Sequence, residues 1–136
     1  MWFFKSSLVW IVLFLCSAVN AQSLDSWINV KLQTDNYPEE TSWIFYNISG
    51  GALATNDSLA ELTLYDTIID VLSGEYIIQL DDLYGDGLAA SQWGGTDGWF
   101  LIENDCQDTL FYAEGDFGLQ LIDTLTIAPC APPLPG

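Results

Sequence analysis

Histidine and arginine are absent from this chain, and lysine occurs only as Lys5 and Lys31. Without histidine there is no Ser-His-Asp triad, no Cys-His pair and no histidine zinc site. Two bases against 19 Asp and Glu residues leave a formal charge of −17. Phosphate backbones and anionic membrane surfaces are held mainly by Lys and Arg, so nucleic acid and membrane surfaces drop out as partners. Long apolar runs are scarce as well: Leu8 to Leu15 falls short of the roughly 20 residues of a spanning helix, and no basic stop-transfer cluster follows it. Lys5, that run, and Val19-Asn20-Ala21 instead read as a signal peptide over residues 1–21, cleaved after Ala21. Leu15 is too bulky before Cys16 for lipoprotein processing. The expected product is secreted, with no membrane insertion after cleavage.

From Gln22 onward Lys31 is the sole base and the formal charge is −18. Most of these carboxylates are expected to stay hydrated and keep the chain soluble; some are candidates to bind a cation. The length fits one domain, over residues 22–128, with one core. Residues 129–136 hold four of the five prolines and read as an extended tail or linker stub. Cys106 and Cys130 are the two cysteines left after cleavage and read as one disulfide of an oxidising compartment. Asn47-Ile48-Ser49 and Asn56-Asp57-Ser58 match the glycosylation acceptor pattern.

Helical spacing is missing throughout, and the apolar residues alternate or form short β-rich runs bounded by Gly, Asn, Asp or Pro. Ile28, Val30 and Leu32 alternate with polar neighbours; further runs are Ser42 to Ile48, Leu59 to Tyr65, Thr67 to Leu72, Glu75 to Leu80, Gly98 to Glu103, Thr109 to Ala113 and Leu119 to Ile127. About eight short strands predict an all-β fold, an antiparallel β-sandwich of jelly-roll or CUB-like type. Asp123 interrupts the last alternation and is expected at a bulge. Two long loops, Thr34 to Thr41 and Asp81 to Asp97, are where binding elements belong.

The second loop opens with Asp81-Asp82-Leu83-Tyr84-Gly85-Asp86-Gly87. Calcium takes six to eight oxygens in irregular geometry, which acidic glycine turns can supply. Asp82, Asp86 and Gly87 match positions one, five and six of an EF-hand loop, but Tyr84 stands at the third ligand position and no bidentate Glu closes it. A shell completed by Asp35 or Glu40 from the first loop, at one end of the sandwich, is the expected alternative, with affinity on the order of 10⁻⁴ to 10⁻³ M. A plain turn, with Asp capping amides and Gly supplying positive φ, accounts for the same residue types.

Aromatic side chains form a second candidate site. Trp93 lies in a loop with no evident core position, and with Tyr84, Tyr37 and nearby carboxylates it suits a sugar or peptide. Trp43 and Trp99 lie in strand-like runs and are expected in the core. The one catalytic arrangement composition leaves is a glycosidase-like carboxylate pair, and nothing in the sequence marks an acid with raised proton affinity. No enzymatic activity is expected.

Two segments, Thr34-Asp35-Asn36-Tyr37-Pro38-Glu39-Glu40-Thr41-Ser42-Trp43 and Tyr76-Ile77-Ile78-Gln79-Leu80-Asp81-Asp82-Leu83-Tyr84-Gly85-Asp86-Gly87, resemble paired signatures of a secreted β-sandwich module of multidomain extracellular bacterial proteins. That module carries T-D-N-Y-P-x-E-T-S-W and then Y-x-F-x-I-x-D-S-Y-G-D-G. Gly115-Asp116-Phe117-Gly118 resembles the turn before its final strand. Where the module often has a Cys-Cys pair after G-D-G, this chain has Ala89 and Ala90, so the loop lacks that pin. The resemblance implies an extracellular, non-catalytic accessory role. The expected function is a secreted binding or structural module with calcium; the alternatives are a carbohydrate-binding module using Trp93, and a subunit of an extracellular assembly formed through sheet edges. The partner expected is an extracellular glycan or protein.

Overall fold

The computed structural model describes residues 26–56, 58–130 and 136. The segment 1–21 read as a signal peptide and most of the proline-rich tail lie outside them. Eight strands form two antiparallel four-stranded sheets, the predicted β-sandwich. The first sheet has the order β4-β1-β6-β7, from β4 (Leu64–Val71), β1 (Ser26–Gln33), β6 (Trp99–Asn104) and β7 (Thr109–Glu114). The second has the order β3-β2-β5-β8, from β3 (Ala52–Thr55), β2 (Thr41–Asn47), β5 (Gly74–Asp82) and β8 (Gln120–Ile127).

The period-two pattern fixes which side chains face inward. Ile28, Val30 and Leu32 of β1 join Phe100 and Ile102 of β6 on one inner face; Trp43 and Phe45 of β2 and Tyr76, Ile78 and Leu80 of β5 line the other. Trp43 meets Phe100 edge-on across the sheets at 5.5 Å, and Phe45 stacks on Tyr76 at 5.1 Å. Each fully buried large side chain here stabilises the fold by roughly 1.5–3 kcal/mol relative to exposure.

Several local expectations are corrected. Residues 59–63 are not strand: Thr34 Oγ donates to the Ala60 carbonyl at 2.7 Å and accepts from the Thr63 amide at 2.8 Å, while the Leu62 amide donates to the Asp35 carbonyl. These bonds turn the chain before β4, which runs unbroken through Asp66. The missed strand is β3, a four-residue edge (Ala-Leu-Ala-Thr) after Gly50 and Gly51. Asp123 is not a bulge. It pairs opposite Ile78 in a continuous ladder; the register shifts fall at Phe45/Tyr46 and Ile102/Glu103. An exposed charge at an inward-phase position of an edge strand opposes edge-to-edge pairing. Trp43 is core, but Trp99 precedes inward Phe100 and lies half-buried on the outer face, opposite Gln33.

Cys106 and Cys130 form the predicted disulfide, joining the β6–β7 turn to the chain beyond β8. No helix among the described residues is long and apolar enough to cross a membrane.

Candidate functional site

The site begins with strand parity. In β5 the side chains of Tyr76, Ile78 and Leu80 point into the sandwich, and the same phase turns Asp82 inward at the end of the core, 3% exposed. Asp81, of opposite phase, faces out and accepts from Gln79 and Gln120. Register supplies the second carboxylate. Thr41 of β2 pairs with Asp82, so Glu40, one residue earlier, falls at the same end, and its carbonyl accepts from the Leu83 amide at 3.0 Å.

The turn after β5 supplies the third. Asp82 Oδ1 accepts the amides of Gly85 and Asp86, the latter at 3.0 Å, folding the chain back so that Asp86 returns to Asp82. Gly85 and Gly87 both take positive φ, +84° and +66°. A Cβ on Gly87 would stand 2.6 Å from the Gly115 carbonyl oxygen, so glycine also permits the close approach of the 115–118 turn. Buried Leu88, Ala89 and Ala90 then anchor the loop.

The outcome is a group in which Glu40, Asp82 and Asp86 bring carboxylate oxygens within 4.8 Å of one another. The plain-turn expectation accounts for one oxygen of Asp82. Its other oxygen, Oδ2, is buried and has no hydrogen-bond partner among the described residues. Burying a carboxylate oxygen without a partner is costly, and a cation is one way to satisfy it.

Asp35 lies next to this group rather than within it. Its Oδ1 accepts the Tyr37 amide at 2.7 Å, shaping the turn into the 3₁₀ segment Pro38–Glu40. Burial raises the proton affinity of Asp35 above the usual carboxylate range, and the charges of Asp86 and Asp82 add to the rise. Glu40 is raised likewise, first by burial and then by Asp86, Asp82, Glu39 and Asp35. No base offsets these charges: Lys31, the sole base in the described residues, is paired with Glu103 at 2.7 Å. The other close group of potential ligands among the described residues, Asp105 with Cys106 and Cys130, has its sulfurs tied up in the disulfide.

Trp93 ends the 3₁₀ segment Ala90–Trp93, with Gly94 in the left-handed conformation after it. The residue is 69% exposed, yet its indole N–H donates to Asp86 Oδ2 at 2.5 Å. Tyr84, 74% exposed, flanks the same cleft of about 380 Å³, which Tyr37, Glu39, Glu40 and Asp86 also line. The Asn36 side-chain oxygen accepts the Thr96 amide and fastens the two long loops together. The Trp93–Asp86 bond and the part of Glu39 were not legible in the sequence, because the 93 loop folds back over seven residues through contacts with no fixed spacing.

Neither protein-family models, nor curated proteins, nor solved structures give a match to this chain.

Proposed function

We propose that the protein is a secreted, non-catalytic binding or structural module whose loop end is ordered by calcium. The observation that carries this is the unpartnered buried oxygen of Asp82 facing two further carboxylates with no base to neutralise them. Glu40, Asp82 and Asp86 would be the ligands, and Asp35 adds negative potential from its buried position beside them. Calcium suits this oxygen-only, irregular set better than zinc, which favours nitrogen and sulfur. Secretion is supported by the disulfide and by the apolar leader of the sequence. The resemblance to modules of extracellular proteins points the same way.

Thermal melting with and without millimolar calcium tests the metal. A rise in midpoint with calcium, reversed by chelator and not matched by magnesium at equal ionic strength, is the expected result. An unchanged midpoint refutes it.

Carbohydrate recognition is a second reading, favoured by the exposure of Trp93 and Tyr84 around one cleft. Assembly through the edges of the second sheet is less favoured, since β3 is only four residues long and β8 carries Asp123 in its inward phase.

A further inference from the structure

Building on the calcium reading, we propose that the metal group and the aromatic cleft are one site: calcium held by Glu40, Asp82 and Asp86 presents open coordination positions to adjacent hydroxyls of a neutral sugar. Trp93 forms the stacking wall for its ring.

The oxygen count comes first. Of the six carboxylate oxygens in the group, Asp82 Oδ1 accepts two backbone amides and Asp86 Oδ2 accepts the Trp93 indole. At most four remain for a cation, and one from each residue lies within 4.8 Å of the others. Calcium takes six to eight, so about two or more positions stay open for water or ligand oxygens. Asp82 is 3% exposed, and with Glu40 it borders a second cleft beside Ser42, Asp81 and Leu119. Glu40 and Asp86 both line the aromatic cleft, so the open positions on their side of the group face it.

Asp86 then joins the two functions. One of its oxygens is available to the metal while the other holds the indole N–H, which fixes the edge of Trp93 and leaves the ring face to solvent. A pyranose presents an apolar face for such a ring and vicinal hydroxyls at its edge. The volume of about 380 Å³ lies at the small end of ligand sites, fitting one or two sugar units. Glu39 at the rim and the acidic chain as a whole repel sugars bearing carboxylate or sulfate, which selects neutral ones. Hydroxyls that complete a metal shell have no such foothold when the metal is gone, so binding is calcium-dependent.

Calorimetric titration of the protein with the methyl glycosides of mannose, galactose, fucose and glucose, and with glucuronic acid as the charged control, provides the test. Expected is saturable binding of at least one neutral glycoside in calcium, at least a tenfold loss in chelator, a similar loss in Trp93→Ala, and a smaller loss in Trp93→Phe, which keeps a ring but not the N–H. A protein that calcium stabilises but that binds no neutral glycoside overturns this inference and leaves the metal reading standing. Glycoside binding equal in calcium and chelator also overturns it, since the cleft then works alone. If calcium gives no stabilisation at all, both readings fall together.

Discussion

The two ends of the sandwich are held shut by different physics. At one end the β6–β7 turn is stapled to the exit of β8 by Cys106–Cys130, and Asn104 Oδ1 accepts the amides of Cys106 and Asp108 at 3.0 and 2.8 Å. At the other, residues 34–40, 83–98 and 115–118 are joined by individual hydrogen bonds around mutually repelling carboxylates. The covalent staple itself carries no charge. The acidic end is conditional, because no base among the described residues offsets its charges.

Removing the covalent staple is the strongest way to break this contrast. The double substitution Cys106→Ser with Cys130→Ser is expected to lower unfolding stability by about 3 kcal/mol, as the chain-entropy model gives for a loop of this length. Denaturant unfolding measures it. The calcium-induced rise in midpoint should survive in that variant; its disappearance would mean that the two ends do not act separately.

Asp82→Asn sharpens the contrast from the other side. Asparagine keeps Oδ1 for the amides of Gly85 and Asp86 but removes the buried charge. The calcium-free midpoint is expected to hold or rise, while the calcium increment vanishes. If calcium binds as proposed, the parent's increment is expected to be about 2.7 kcal/mol at calcium a hundredfold above Kd. A variant that keeps its full calcium response would remove Asp82 from the metal site.

The smallest expected effect is in the pH dependence. The folded state holds the protons of Asp35 and Glu40 more tightly than the unfolded chain does, through burial and neighbouring carboxylates. Folding then takes up protons at these two residues, so their contribution to stability declines as pH rises from the ordinary carboxylate range, about 4, through the raised folded values. Calcium-free protein should melt lower at pH 7 than just above that range as far as these groups decide it, and calcium should narrow the difference. Melting curves across pH, with and without chelator, read both. The double variant Asp35→Asn with Glu40→Gln should flatten the calcium-free slope.

Much of the fold was legible because a period of two is a strong local signal. Alternation placed Ile28, Val30 and Leu32 inside, and β5, β6, β7 and β8 within a residue or two of their ends. It failed over residues 59–63, where Leu59 and Leu62 carry the composition of a strand but Thr34, distant in sequence, takes up the backbone groups of Ala60 and Thr63. It failed also at β3, whose pairing with β2 rather than its own residues makes it a strand. Of the site, Glu40, Asp82 and Asp86 are brought together as expected, whereas Asp35 stands beside the group. Trp93 proved exposed as expected, but its bond to Asp86 had no signature in spacing.

By itself the sequence determined the class: without histidine or arginine, with alternating apolar residues and a cysteine pair, the chain is committed to an acidic, disulfide-linked β-sandwich. Tertiary structure decided the site. The carboxylates of Glu40, Asp82 and Asp86 come together through the register between β2 and β5 and through one tight turn, and the cost of an unpartnered buried oxygen exists only once the sheets close over it. Propensity acts between neighbours along the chain, whereas burial and charge repulsion act between neighbours in space.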